Sequence, residues 1–198
     1  MRLQEAKRDY YRRTAKKEGF RSRAAYKLLE INNSYHIIAR GMYVVDFGCA
    51  PGGWLQAASK AVGPNGRVLG IDIRPVDPLP NVQFLQSDIS DDFLAERILD
   101  TMGRKVNVLL SDVAPNVSGI WQLDHVRQIS LTQNAVSMAE RILARNGSAV
   151  LKAFEGEMLN ELRDQLKKKF SRVHSYKPRS SRKESSEMYL VCLGYKGS

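Results

Sequence analysis

The 198-residue sequence predicts an α/β sandwich, a Rossmann-like and mostly parallel seven-stranded sheet with one antiparallel strand and helices on both faces. Three observations carry that prediction. Short, nearly continuous apolar runs alternate with amphipathic stretches, as expected of strands buried on both faces and joined by crossover helices. A glycine loop, D-F-G-C-A-P-G-G-W (46–54), follows the first of these runs and opens a helix. The last two runs have no helix between them, so they should pair antiparallel.

Taken in order, residues 1–19 are basic, with weak helical periodicity and no strong core face; they suggest an arm, with residues 20–198 forming one domain. Ser22 is placed to cap a helix over 23–33, whose stripe is Ala24, Leu28 and Ile31 with Leu29 alongside. Lys27 leans toward that stripe, so it either snorkels or is aimed into a site. Strands are expected at 42–47, 66–72, 81–88 and 106–112, with helices at 54–62 and 92–102. A loop then leads to a long amphipathic helix over 124–145, carrying Ile129, Val136, Ala139 and Leu143. Strand 148–154, helix 157–169 and strands 171–177 and 188–196 complete the chain.

Composition narrows the class. An apolar fraction of 43% argues against disorder. No apolar run approaches the roughly 18 residues of a membrane span, and the charged first 23 residues lack the apolar stretch of a secretory signal. Two cysteines, Cys49 and Cys192, are too few for a disulfide framework or a zinc site, and suggest a reduced, cytoplasmic protein.

The net charge is +10, and it is unevenly placed. Residues 1–23 carry +6, from Arg2, Lys7, Arg8, Arg12, Arg13, Lys16, Lys17, Arg21 and Arg23 against three acids. Residues 163–184 carry +7, from Arg163, Lys167, Lys168, Lys169, Arg172, Lys177, Arg179, Arg182 and Lys183 against two. Two basic patches around a mildly acidic middle point to nucleic acid, because each phosphate contact releases condensed counterions. Tyr10, Tyr11 and Phe20, interleaved with the first patch, either stack on bases or anchor the arm.

The glycine loop lies where a doubly wound sheet binds a nucleotide-like ligand, with Gly48 for the turn and Gly52 and Gly53 for close backbone approach. Asp46, Asp72, Asp88 and Asp112 stand at or near the carboxyl ends of four successive strands. An acid after the second strand suits ribose hydroxyls, Asp88 suits an adenine amino group, and a ring of carboxylates suits a cationic sulfonium. Lys152 ends a strand that should be central, and a buried lysine needs a partner. The antiparallel last strand brings Glu187 to the same sheet edge, so Lys152 should lie between Asp112 and Glu187, with Lys27 entering from the leading helix. A structural ion pair would explain the same spacing.

Five motifs make the chain resemble the RrmJ/FtsJ-type S-adenosylmethionine-dependent RNA ribose 2′-O-methyltransferases over nearly its whole length. They are S-R-A-A-Y-K-L (22–28), the loop at 46–54, S-D-V-A-P-N (111–116), V-L-K-A-F (150–154) and K-P-x-S-S-R-x-x-S-x-E-x-Y (177–189). The resemblance implies the methyltransferase version of the predicted fold. It places a catalytic tetrad on Lys27, Asp112, Lys152 and Glu187, and S-adenosyl-L-methionine contacts on Gly52, Trp54, Asp72, Asp88 and Asp112. The implied reaction is in-line methyl transfer to a ribose 2′-hydroxyl, with no metal required. Compact relatives act on large-subunit ribosomal RNA, which favours that RNA, within the large subunit, as the acceptor, with a uridine expected; the basic surface suggests a monomer on RNA. A transfer RNA ribose methyltransferase is the alternative. A dinucleotide-dependent oxidoreductase shares the loop but leaves Pro51 and the tetrad unexplained, and a non-catalytic RNA-binding factor leaves the tetrad unexplained. Trp121, Asp124 and His125, in the loop after the fourth strand, either touch RNA or fill loop and cap roles.

Overall fold

The computed structural model describes residues 2–181 and 185–197, with side chains described from residue 10 onward. The side chains of Arg2, Lys7 and Arg8, and all of Arg182 and Lys183, therefore lie outside the described residues. Two helices lead, α1 (Arg2–Lys17) and α2 (Ala25–Tyr35). Strand and helix then alternate: β1 (Tyr43–Phe47), α3 (Gly53–Val62), β2 (Arg67–Asp72), β3 (Val82–Gln86), α4 (Leu94–Met102), β4 (Val106–Ser111), α5 (Trp121–Ile142), β5 (Leu143–Phe154) and α6 (Leu159–Lys169). Two further strands follow, β6 (Phe170–Tyr176) and β7 (Glu187–Tyr195).

The seven strands form one sheet in the order β3-β2-β1-β4-β5-β7-β6. Strands β1 to β5 pair parallel, and β7 lies antiparallel between β5 and β6. Side chains alternate across each strand, which divides the core. On one face Val45, Phe47, Leu109, Leu151 and Ala153 pack with α4, α5 and α6. On the other, Val44, Val108, Leu110, Val150 and Tyr189 pack with α2 and α3. Among the described residues, no helix is long and apolar enough to cross a membrane.

Four local expectations change. The basic arm is helical: residues 2–17 form α1, closed where Gly19 takes φ +74° and the Phe20 N–H returns to the Ala15 carbonyl at 2.8 Å. Among its described side chains Ala15 is buried, and Phe20, just beyond the helix, is buried too. Ser22 does not cap α2, which starts at Ala25 with no side-chain cap. The Ser22 hydroxyl is instead tucked against Gly53, where a Cβ would lie 2.2 Å from it. Leu143 begins β5 rather than continuing α5, pairing with Val106 before an irregularity carries the chain to the Ser148–Val108 pair. Asn146 turns there at φ 65°, and Gly147 is needed because a Cβ would meet the Ala144 and Asn107 carbonyls at 2.8 and 2.9 Å. Finally, β3 ends at Gln86, so Asp88 stands in the turn beyond it.

Candidate active site

At the carboxyl end of β1–β4 lies a cavity of about 520 Å³. Its lining includes Gly48 and Ala50 of the glycine loop, Asp72 and Ile73 after β2, Asp88 and Ile89 after β3, and Asp112 after β4. Gly48 turns at φ +73°, and a Cβ there would press on Val113 at 3.0 Å. The Ala50–Pro51 peptide is cis. Asp72 is almost fully buried and uses its carboxylate on main chain: it accepts from the Ala50 N–H and the Arg74 N–H, each at 2.9 Å. It thereby holds the glycine loop as well as facing the cavity. The Asp88 carboxyl is pulled below its ordinary value, chiefly by the Ser90 N–H and then by the Ser90 hydroxyl. Asp46 lies completely buried beneath the loop, with no hydrogen-bond partner for either oxygen among the described residues. Burial, reinforced by Asp112 and Asp72, pushes its carboxyl well above the ordinary range.

Gly52 and Trp54 do not line this cavity. Gly52, at φ 107°, precedes α3. The buried Trp54 indole N–H donates to the Ala24 carbonyl at 2.8 Å, and its ring leans on Tyr189, with centroids 5.5 Å apart. Trp54 thus seats α2, which delivers Lys27.

Beyond Asp112, all four tetrad residues converge. The β5–β7 register pairs Lys152 with Tyr189 and Phe154 with Glu187, which brings Glu187 to the end of β5. The Lys152 ammonium lies 2.9 Å from Asp112 Oδ1 and 3.3 Å from Glu187 Oε2. Lys27 meets Glu187 Oε1 from the other side at 2.5 Å. All four side chains are largely removed from solvent. Burial alone would drive the Lys152 amine toward neutrality, but Asp112 and Glu187 together outweigh it and raise its pKa above the ordinary 10.5. Burial likewise opposes the Glu187 charge, yet Lys27 and Lys152 bring its carboxyl down to about 2. This is a compact network of two cations and two anions, joined to the cavity through Asp112.

Several contributors were not singled out from the sequence. Tyr189 is fully buried; its hydroxyl donates to Asp112 Oδ1 at 2.7 Å and accepts from the Lys27 ammonium at 3.2 Å. It is the last residue of the motif that supplied Glu187, so a signal for it was present. Ser181 donates to Glu187 Oε1 at 3.1 Å. Glu30, on α2, accepts from the Arg179 and Ser180 N–H groups at 2.6 and 3.0 Å, pinning the strand-connecting loop. Gln128 and Thr132 on α5 donate to the Lys152 carbonyl at 3.2 and 2.8 Å, fixing the main chain that carries Lys152. Both sit one helical turn apart on a buried face, which resembles ordinary core polarity in sequence.

The basic segments divide on inspection. Arg12, Arg13, Lys16, Arg21 and Arg23 line a second concavity around the end of α1. The Arg21 guanidinium donates to the carbonyls of Asp77 at 2.7 Å, Pro78 at 2.9 Å and Pro51 at 3.3 Å. It is therefore bound to the loops at the cavity edge. In the second segment Lys167, Lys169 and Lys177 pair with Asp164, Glu140 and Glu155. Tyr11 and Phe20 pack against Tyr26 and serve as anchors, whereas Tyr10 is exposed. Asp124 fills the loop role: it accepts from the Ser118 N–H and hydroxyl, both at 2.8 Å, and from the Gly119 N–H at 3.1 Å.

Comparison with known proteins agrees with this fold. The chain is 49% identical over 197 residues to "Ribosomal RNA large subunit methyltransferase E" of Nitrosopumilus maritimus, covering both chains completely. It is 47% identical, again end to end, to the protein of the same description from Cenarchaeum symbiosum. A crystal structure described as a ribosomal RNA methyltransferase of Plasmodium falciparum superposes with a TM-score of 0.82 at 32% identity, covering 90% of this chain and all of the other. Residues 20–195 match the sequence model of the FtsJ-like methyltransferases. The chain that carries this cavity and this charged cluster belongs to the FtsJ-like methyltransferase family.

Proposed function

We propose that the protein transfers the methyl group of S-adenosyl-L-methionine to the ribose 2′-hydroxyl of a nucleotide, expected to be a uridine, in large-subunit ribosomal RNA. The observation that carries this reading is the Lys152 ammonium held between Asp112, which lines the cavity, and Glu187. The relatives' descriptions supply the acceptor class.

The cavity residues suit the cofactor. Apolar Ile73 and Ile89 flank Asp88 at one end, where an adenine ring and its amino group would be held. Asp72 sits by the loop for the ribose hydroxyls, and Asp112 reaches the other end, where a carboxylate favours a cationic sulfonium. When bound, S-adenosylmethionine supplies an electrophilic methyl group. The chain's own task is to aim the acceptor oxygen and receive its proton. With its pKa raised, Lys152 acts as an ammonium that donates to the 2′-oxygen and fixes its approach. Asp112 orients Lys152, Glu187 shares it, and Lys27 balances Glu187. The hydroxyl becomes strongly acidic as its oxygen forms the new C–O bond, and the Asp112 and Glu187 carboxylates stand ready to take the proton.

The arm at 1–19 and the 163–184 segment grip phosphates around the target, while residues 20–198 act as one methyltransferase domain, working as a cytoplasmic monomer on the large subunit. RNA binding then weakens steeply with salt, and a flat response overturns that part. The direct test is transfer of labelled methyl to unmodified large ribosomal subunits and, in parallel, to bulk transfer RNA, with digestion to nucleosides. Label in a 2′-O-methyl nucleoside from the subunits is expected. Label only in transfer RNA would keep the chemistry and replace the substrate; no label in either would overturn the acceptor.

A further inference from the structure

We infer that Trp121, with Phe154 and His125 against it, forms a stacking subsite for a nucleobase next to the target nucleotide. This rests on the reading of the acceptor as RNA and adds how the strand is held.

Trp121 opens α5 and is 44% exposed. Its ring lies nearly parallel to Phe154, with centroids 6.1 Å apart at 21°, and to His125, 5.8 Å apart at 24°. Phe154 follows Lys152 by two residues at the end of β5, and it pairs with Glu187 across to β7. The aromatic group therefore stands beside the cluster that aims the 2′-hydroxyl. A nucleotide whose ribose reaches Lys152 brings a neighbouring base to this place.

The group is held in position before any ligand arrives. His125 is 6% exposed, and a Cβ on Gly156 would come within 2.4–2.7 Å of its ring atoms, so the chain at Gly156 lies close against the imidazole. Neither His125 nitrogen has a hydrogen-bond partner among the described residues, so the ring contributes its plane. Asp124 ties Ser118 and Gly119 to the start of α5 and fixes the loop that carries Trp121. Val117, Ile120, Leu123 and Val126 are exposed nearby. An apolar rim around an aromatic plane suits the face of a base and not a phosphate, and the +10 net charge makes a polyanion the favoured partner.

The test compares Trp121→Phe, Trp121→Leu and Trp121→Ala. The probe is a short RNA carrying the nucleotide identified by the labelling experiment above, intact or with the bases beside that nucleotide removed. Binding to each RNA, the KM and kcat of transfer, and cofactor affinity are measured. Stacking predicts that Leu and Ala weaken binding of intact RNA roughly ten- to a hundredfold, while Phe keeps most of it. It also predicts that KM rises with kcat retained, that cofactor affinity is unchanged, and that the abasic RNA binds wild type as weakly as intact RNA binds the Ala variant. Equal binding by the Leu variant, or undiminished binding of the abasic RNA, overturns the subsite. A loss seen only with assembled subunits would instead assign the patch to a protein contact, and so overturn it too. Failure of the wild type to methylate any RNA would overturn the function proposed above; that control is read separately from the variant series.

Discussion

In the proposed division of the cleft into a cofactor side and an acceptor side, the cofactor side is made by consecutive strand ends and by main chain. The glycine loop, Asp72 and Asp88 lie within a short stretch, and the main-chain partners of Asp72 are the nearby Ala50 and Arg74 N–H groups. On the acceptor side, the site is made by side chains brought together from across the whole chain. Lys27 and Glu187 are separated by 160 residues, and Tyr189 and Asp112 by 77. The first kind of site depends on local turns. The second depends on β7 entering the sheet between β5 and β6, and on Trp54 seating α2. Damage on the acceptor side should therefore cost catalysis and stability while sparing cofactor binding, and damage on the cofactor side should weaken cofactor binding first.

The sharpest break is Lys152→Ala. Transfer should fall about 10²- to 10⁴-fold, while calorimetric titration shows cofactor affinity retained, because Lys152 does not line the cavity. Wild-type turnover would remove Lys152 from the chemistry. Next is Tyr189→Phe, which leaves half-buried Asp112 without one donor. It should cost about 1–3 kcal/mol in denaturant unfolding and lower kcat more than it raises the KM for RNA. An unchanged unfolding midpoint would leave Tyr189 as packing alone.

A pH series separates the acceptor network from ordinary surface pairs. The Glu187 pKa is about 2 folded, against an ordinary 4.5. Its stabilisation is therefore complete above pH 4.5 and is lost as pH falls toward 2. Lys152 has the opposite sign: its contribution is complete below 10.5 and is lost only as pH rises through its higher folded value. Thermal melts of wild type and Glu187→Gln should differ most near neutrality and converge in acid; a constant gap would contradict the assignment. The smallest effect belongs to the junction of the two sides. Arg21→Lys loses the fork that spans Pro51, Asp77 and Pro78, and should weaken cofactor binding roughly fivefold, about one hydrogen bond. An effect on RNA binding alone would return Arg21 to the phosphate-contacting arm.

Much of this was legible because alternation and turns are local. Apolar runs at 106–112 and 148–154 look like buried strands, and the missing helix after 171–177 announced the antiparallel β7. Lys27 was ambiguous, since one helical position suits either a snorkelling lysine or a site lysine; only the contact with Glu187 separates them. Ser22 was misread as a cap because cap propensity is local, whereas its hydroxyl answers to Gly53, 31 positions away. Arg21, counted as a phosphate contact from its charge, turned out to be bound to carbonyls that no local pattern links to it.

By itself, then, the sequence determined the order of strands and helices, the glycine loop, and the three charged strand-end residues Asp112, Lys152 and Glu187 at one edge of the sheet. Each follows from periodicity, turn chemistry or a residue's position on its own strand. Only the tertiary structure decided how those charges act on one another. Burial favours a neutral Lys152 and two carboxylates favour a charged one, and the sign of their sum depends on distances near 3 Å, 2.9 Å to Asp112 and 3.3 Å to Glu187. Electrostatic energy varies with separation and with solvent exclusion, and neither is written in the spacing of residues along a chain.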